Sequence, residues 1–152
     1  MILGFYGNSN SGKTTLIEGI ITYLKKENLE IVVIKHIPHK NFSIDNNAKD
    51  TGKFKDMGVD VVAFSPNETA FICKKMSFSD VVSKLGFMNH YDVILIEGLK
   101  KENIPKIRVG DCEKEGNTIM DYKDNPEDVI KWIKKGLKKE RAEWKKKKKI
   151  LA

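Results

Sequence analysis

Several common devices are missing from this sequence of 152 residues, which contains only two cysteines, Cys73 and Cys112. That excludes a disulfide framework and an all-cysteine zinc site. No apolar run approaches the roughly 18–20 residues of a membrane span. The first residues, Met1-Ile2-Leu3-Gly4-Phe5-Tyr6, lack the basic start of a signal peptide. A cytoplasmic protein without a membrane span is therefore expected. Arginine is nearly absent: Arg108 and Arg141 are the only two.

Positive charge is abundant, but it is confined. The chain carries 28 Lys+Arg against 21 Asp+Glu. Residues 131–152 hold 11 of the basic residues and two acids, while residues 1–130 hold 17 basic and 19 acidic. The body is thus nearly neutral, and nothing in it predicts binding along a nucleic-acid backbone. The excess belongs to a lysine-rich end, with Trp132 and Trp144 beside lysines, which reads either as a helix that touches acidic protein, anionic lipid or RNA or as a solvated, partly disordered end. The expected organisation is one domain over 1–139 and a tail over 140–152, a chain long enough to bury about 70% of its unfolded surface.

Short apolar runs alternate with helical patterns. Ile2–Tyr6, the β-branched run Ile31–Ile34, and Val93–Ile96 read as buried strands. Leu16, Ile17, Ile20, Ile21 and Leu24 mark one face of a helix beginning near Thr14. Lys49–Met57 reads as a short helix stopped by Gly58. Val59–Phe64 and Thr69–Cys73 read as strands around a turn at 65–68. Ser77 and Asp80 are spaced as a helix-capping pair. Lys106–Val109 is a further strand, and Pro126 opens a last helix carrying Val129, Ile133 and Leu137. Apolar strands alternating with helices imply a mostly parallel sheet with both faces covered, in a three-layer α/β domain.

One motif sets the chemistry. Gly7-Asn8-Ser9-Asn10-Ser11-Gly12-Lys13-Thr14 matches the P-loop pattern G-x-x-x-x-G-K-[ST] at every fixed position, between a strand and a helix, so the α/β domain is expected to have a P-loop NTPase fold. The loop's N–H groups form an anion nest, and the helix adds its positive pole. Lys13 suits the β and γ phosphates, and the Thr14 hydroxyl suits Mg²⁺. The cradle is expected to run from Gly7 to Thr15. An acid near the metal should come from the C-terminal end of a parallel strand. Glu97 is placed there, and Gly98 permits the backbone to approach a phosphate. Asp92, at the start of the same run, is structural. His36 and His39 lack a third ligand at metal-site spacing and read as loop residues. Asp45, Lys49 and Asp50 lie in a polar stretch that would order around Mg²⁺ or the γ-phosphate in a nucleotide switch.

Taken together, these stretches resemble the molybdopterin-guanine dinucleotide biosynthesis protein B (MobB) family. The resemblance rests on the P-loop Gly7–Thr15, Ile34-Lys35-His36, and Ile44-Asp45 with Lys49-Asp50-Thr51 and Met57-Gly58. It extends to Ile94-Leu95-Ile96-Glu97-Gly98-Leu99-Lys100 with Pro105-Lys106-Ile107, and so spans about 2–109. It implies a GTP-binding protein with weak GTPase activity and Mg²⁺ as cofactor, and usually a homodimer. It also implies an accessory role to the guanylyltransferase that joins GMP to molybdopterin, with molybdopterin itself a further candidate partner. It supports Lys13 and Glu97 in catalysis and Thr14, Glu97 and Asp45 at the metal. Lys49, Asp50 and Gly98 would join the P-loop around the nucleotide.

The chain departs from that family after about residue 110, where the family's further strand is not evident. The guanine-reading pattern Asn-Lys-x-Asp is also absent, and Asp121 is the nearest candidate acid. The alternatives are a small P-loop metabolite kinase, an ATP-dependent adaptor and a non-enzymatic nucleotide-gated module. Two arginines in the whole chain argue against a kinase lid.

Overall fold

A computed structural model describes residues 1–39, 42–45 and 49–150, the last four through their backbone alone. These residues form seven strands and four helices. In chain order they are β1 (Ile2–Tyr6), α1 (Lys13–Lys26), β2 (Ile31–Lys35), α2 (Asp50–Asp56), β3 (Val61–Phe64) and β4 (Thr69–Ile72). Then follow α3 (Phe78–Met88), β5 (Val93–Glu97), β6 (Lys106–Arg108), β7 (Thr118–Asp121) and α4 (Pro126–Ile150). They divide into two compact units, Met1–Ile37 with His90–Ala152, and Pro38–Asn89.

The first unit is built on a five-stranded sheet of order β2-β5-β1-β6-β7, parallel at every pairing. Leu3 and Phe5 of β1, Val93 and Leu95 of β5, and Ile107 of β6 point to one face, at the period of two that a strand imposes. There they meet Leu16, Ile17, Ile20 and Leu24 of α1 and Val129, Ile130, Ile133 and Leu137 of α4. The helical stripes read from the sequence are therefore the stripes that pack. At the surface Lys134 bridges the two helices, donating to Glu27 at 2.9 Å and to the Tyr23 hydroxyl at 2.7 Å. Lys134, by hydrogen bond and by charge, holds the Glu27 carboxyl below its usual range. The other face carries Gly4, where a Cβ would press on Ile104 and Lys106 at 3.0 Å. Lys106 is buried, and its ammonium donates to the carbonyls of Lys100 and Glu102 at 2.7 Å each. That bond pair pins the segment following Glu97 onto the sheet.

Two strands differ from the sequence reading. Ile31–Ile34 reads as a buried strand, but β2 is an edge of the sheet and Val33 is 41% exposed. An edge strand has a neighbour on one side only, so its apolar residues are half covered. The strand not evident after residue 110 is β7, the opposite edge, paired with β6 through a register shift between Lys106 and Ile107. It is four residues long and has no buried residue, so no apolar run announced it. The lysine-rich end is not set off from the body: α4 runs through residues 139 and 140 without a break. Residues 151 and 152 lie outside the described residues, as do the side chains of 147–150.

The second unit pairs β3 with β4 as an antiparallel hairpin, Val62 opposite Phe71 and Phe64 opposite Thr69. Val62, Phe64 and Phe71 thus share one face, and all three are exposed, Phe64 by 86%. The capping pair forms: the Ser77 hydroxyl accepts the Asp80 N–H at 3.2 Å, and Asp80 accepts the Ser77 N–H at 3.3 Å. Gly58, with φ +85°, ends the turn after α2.

Leu95 and Val33 are register partners with opposite burial, which makes them a test of the edge assignment. Leu95→Ala is expected to lower the unfolding free energy by about 2–5 kcal/mol through a core cavity. Val33→Ala should cost less than about 1 kcal/mol, as a partly exposed position does. Urea denaturation of both variants checks this; equal losses would place β2 inside the sheet.

Candidate functional site

Parallel strands bring their C-terminal ends to one edge of the sheet, and the loop Gly7–Gly12 leaves β1 at that edge. Gly7 has a packing reason to be glycine. A Cβ there would stand 2.1 Å from the Val109 carbonyl oxygen, just beyond β6, and 2.7 Å from the Ser11 hydroxyl. Gly12 has a conformational one: it is the N-cap of α1 at φ +87°, and a Cβ added there would meet nothing within 4 Å. Asn10 also takes the left-handed conformation, at φ 60°. Among the described residues no side chain caps the first turn of α1, and no acid lies in it. Its first N–H groups thus have no side-chain acceptor, an arrangement that suits an anion. The Lys13 ammonium lies across the loop, donating to the carbonyls of Gly7 at 3.1 Å and Asn8 at 2.6 Å and to the Ser11 hydroxyl at 3.3 Å. Asn8 is anchored in turn, its amide donating to the Asp111 carbonyl at 2.9 Å.

Glu97 meets this loop from β5. Its carboxylate accepts the Thr14 hydroxyl at 3.2 Å, across 83 residues of sequence. Lys35, at the end of β2, is the register partner of Glu97, and its ammonium stands 3.3 Å from both carboxylate oxygens. Ser9–Thr15, Lys35 and Glu97 line one open cavity of about 380 Å³, within the range of small-molecule sites. Thr14 and Glu97 offer two hard oxygens side by side, a donor set suited to Mg²⁺ when phosphate and water complete the shell. Among the described residues no three His, Cys, Asp or Glu side chains gather as a metal site of their own.

The other expected residues are distributed as follows. Gly98, at φ +97°, faces His36, and a Cβ on Gly98 would meet the His36 Cβ at 3.0 Å. The Gly98 N–H donates to the Phe5 carbonyl at 2.9 Å, so this glycine secures the strand ends. Asp92 lies at the opposite end of β5, where its carboxylate accepts the Glu30 N–H at 3.0 Å. Asp45, Lys49 and Asp50 lie in the second unit, as does His39. Asp50 pairs there with Lys53 at 3.1 Å. Asp121 ends β7 with its carboxylate 2.8 Å from Arg108 and 4.0 Å from Lys114, so its charge is already matched. Lys35 enters the sequence reading only within the Ile34-Lys35-His36 element of the resemblance, without a role at the site. Its signal was its place at the end of a β-branched run, legible only once β2 and β5 are known to be neighbours.

The family model described as molybdopterin guanine dinucleotide synthesis protein B matches residues 2–135. A putative molybdopterin-guanine dinucleotide biosynthesis adapter protein of Methanocaldococcus jannaschii is 34% identical over 146 residues, covering 87% of this chain and 60% of that protein. The molybdopterin-guanine dinucleotide biosynthesis adapter protein of Haemophilus influenzae is 36% identical over 110 residues, covering 70% and 61%. The chain thus spans about six-tenths of the length of these relatives. Among solved structures, Bacillus subtilis MobB superposes with a TM-score of 0.67 at 19% identity, covering 87% of this chain and 96% of that one. A molybdopterin-guanine biosynthesis protein B superposes with a TM-score of 0.63 at 26% identity, covering 91% and 99%.

The two loop glycines predict different outcomes. Gly12→Ala carries only the left-handed backbone cost of about 1–2 kcal/mol, a fall in Tm of roughly 2–8 °C for a chain of this size. Gly7→Ala must push the loop away from β6 and should lower Tm further. Calorimetry on the two variants checks the order; a milder Gly7→Ala would contradict the packing at Val109.

Proposed function

The chain belongs to the molybdopterin guanine dinucleotide synthesis protein B family, and from that premise we propose that it is an accessory GTP-binding protein of molybdenum or tungsten cofactor maturation. Its relatives are molybdopterin-guanine dinucleotide biosynthesis adapter proteins. In this reading it assists the guanylyltransferase that joins GMP to molybdopterin, with molybdopterin a second candidate ligand, and works in the cytoplasm. Among the described residues no helix is long and apolar enough to cross a membrane.

The observation that carries the nucleotide reading is the uncapped N-terminus of α1 opening into the cavity that Thr14 and Glu97 share. Loop N–H groups and α1 bind the phosphates, and Lys13 leaves the loop carbonyls for the β and γ oxygens. Thr14 and Glu97 hold Mg²⁺, which when bound offsets the charge of the terminal phosphates. On the resemblance alone, Asp45, Lys49 and Asp50 of the second unit are kept as candidate nucleotide contacts. Guanine preference is supported by family membership alone, since Asp121 is matched by Arg108 and Lys114. Turnover is expected to be slow, because neither arginine lines the cavity: Arg108 pairs with Asp121, and Arg141 stands 3.6 Å from Asp92 at the far end of β5. The same commitments argue against a metabolite kinase with an arginine lid.

A homodimer is supported by the exposed apolar face of the β3–β4 hairpin, Val62, Phe64 and Phe71, the kind of surface that a partner covers.

Calorimetric titration of GTP and ATP with Mg²⁺ tests the reading. GTP is expected to bind the wild type more tightly than ATP, and Lys13→Ala is expected to abolish the heat. Steady-state hydrolysis should run below the roughly 1–100 per second of kinases. ATP preference, or kinase-like turnover by the protein alone, would move the function away from guanine dinucleotide attachment.

A further inference from the structure

Glu97 is largely buried, at 15% side-chain exposure, and has two cationic claims on it. One is the divalent cation that Glu97 and Thr14 are placed to hold. The other is Lys35, whose ammonium spans both Glu97 oxygens. Lys35 is itself 57% exposed, on a flexible stem, inside the same cavity as Lys13 and the α1 N-terminus.

We propose that Lys35 is the movable counter-charge of this site. It holds Glu97 in the nucleotide-free protein and passes to the terminal phosphate when a divalent cation is bound at Thr14 and Glu97. The inference rests on the nucleotide reading above. An ammonium and a divalent cation at the same carboxylate repel each other, so a bound metal weakens the hold of Glu97 on Lys35. Lysine is a compact point charge on four methylenes, so Lys35 can leave Glu97 without the backbone moving. The nearest concentration of new negative charge is then the phosphate chain in the same cavity. Register supports the assignment: Lys35 and Glu97 are cross-strand partners, so the ammonium is delivered to the site by β2 itself. Scarcity supports it too, since both arginines of the chain are matched to carboxylates elsewhere. Lys35 thereby supplies the charge that an arginine supplies in faster phosphate-cleaving sites.

The test compares GTP with GDP, which differ by the phosphate that Lys35 is expected to reach. Affinities of both nucleotides with Mg²⁺ are measured for wild type, Lys35→Ala and Lys35→Arg, with circular dichroism confirming the fold. Lys35→Ala should weaken GTP by roughly ten- to a hundredfold, the range for a lost hydrogen bond to a charged group, and leave GDP within about twofold. Lys35→Arg should keep the wild-type preference for GTP. In the GDP complex of Lys35→Ala, half-saturation by Mg²⁺ should fall to a lower concentration, because the competing ammonium is gone. Equal effects of Lys35→Ala on GTP and GDP, or no effect on either, would overturn the proposal while leaving the nucleotide site standing. A wild type that binds neither nucleotide would overturn the proposed function and this inference with it.

Discussion

Parallel pairing of β5 with both β1 and β2 is the constraint on which the candidate site depends. It sets Phe5 and Lys35 on either side of Glu97. Backbone bonds lock that register at the strand ends: Gly98 N–H to the Phe5 carbonyl, and His36 N–H to the Glu97 carbonyl, both at 2.9 Å. Because the five strands of this sheet run the same way, the loop of β1, the acid of β5 and the ammonium of β2 leave from one edge. A slip of one residue in β5 would turn Glu97 to the other face and separate it from Thr14. The core that holds this register is ordinary: alternate apolar residues on the sheet, covered by the stripes of α1 and α4.

The other side of the P-loop strand contributes by contact. β6 brings Val109 so close to Gly7 that no side chain fits between them, and a Cβ on Gly110 would approach the Ser11 Cβ at 2.9 Å. The loop is therefore held from both flanks of β1. Its conformation is a property of the sheet as much as of its own glycines. The same edge carries Arg108 and Asp121, which pair with each other at 2.8 Å.

Much of this was legible in the residues. β1, α1 and β5 are continuous apolar or periodic segments, and the P-loop is defined by residue types at fixed spacing. Glu97 followed from a topological rule, since an acid ending a buried strand lies where ligands gather. The capping pair at Ser77 and Asp80 was readable because both partners are three residues apart. The edge strands were not. β2 has the composition of an inner strand and lies at the rim, while β7 has only Ile119 and Met120 as an apolar run and pairs with β6 at the other rim. Strand position in a sheet is decided by which neighbours arrive, and composition records only burial. The exposed hairpin face of the second unit escaped for the same reason, because an apolar run does not say whether anything covers it.

By itself, then, the sequence determined the local features: a glycine-bounded turn at Gly7–Thr14, helices with one apolar stripe, and an acid at the close of a strand. Each is a short-range consequence of residue type and period. Only the tertiary structure decided who meets whom. It joined Thr14 to Glu97 across 83 residues and Lys35 to Glu97 across 62. It gave Gly7 its neighbour in Val109 and spent Asp121 on Arg108. These are register and strand-order effects, and they arise from pairings between segments that carry no mark of each other.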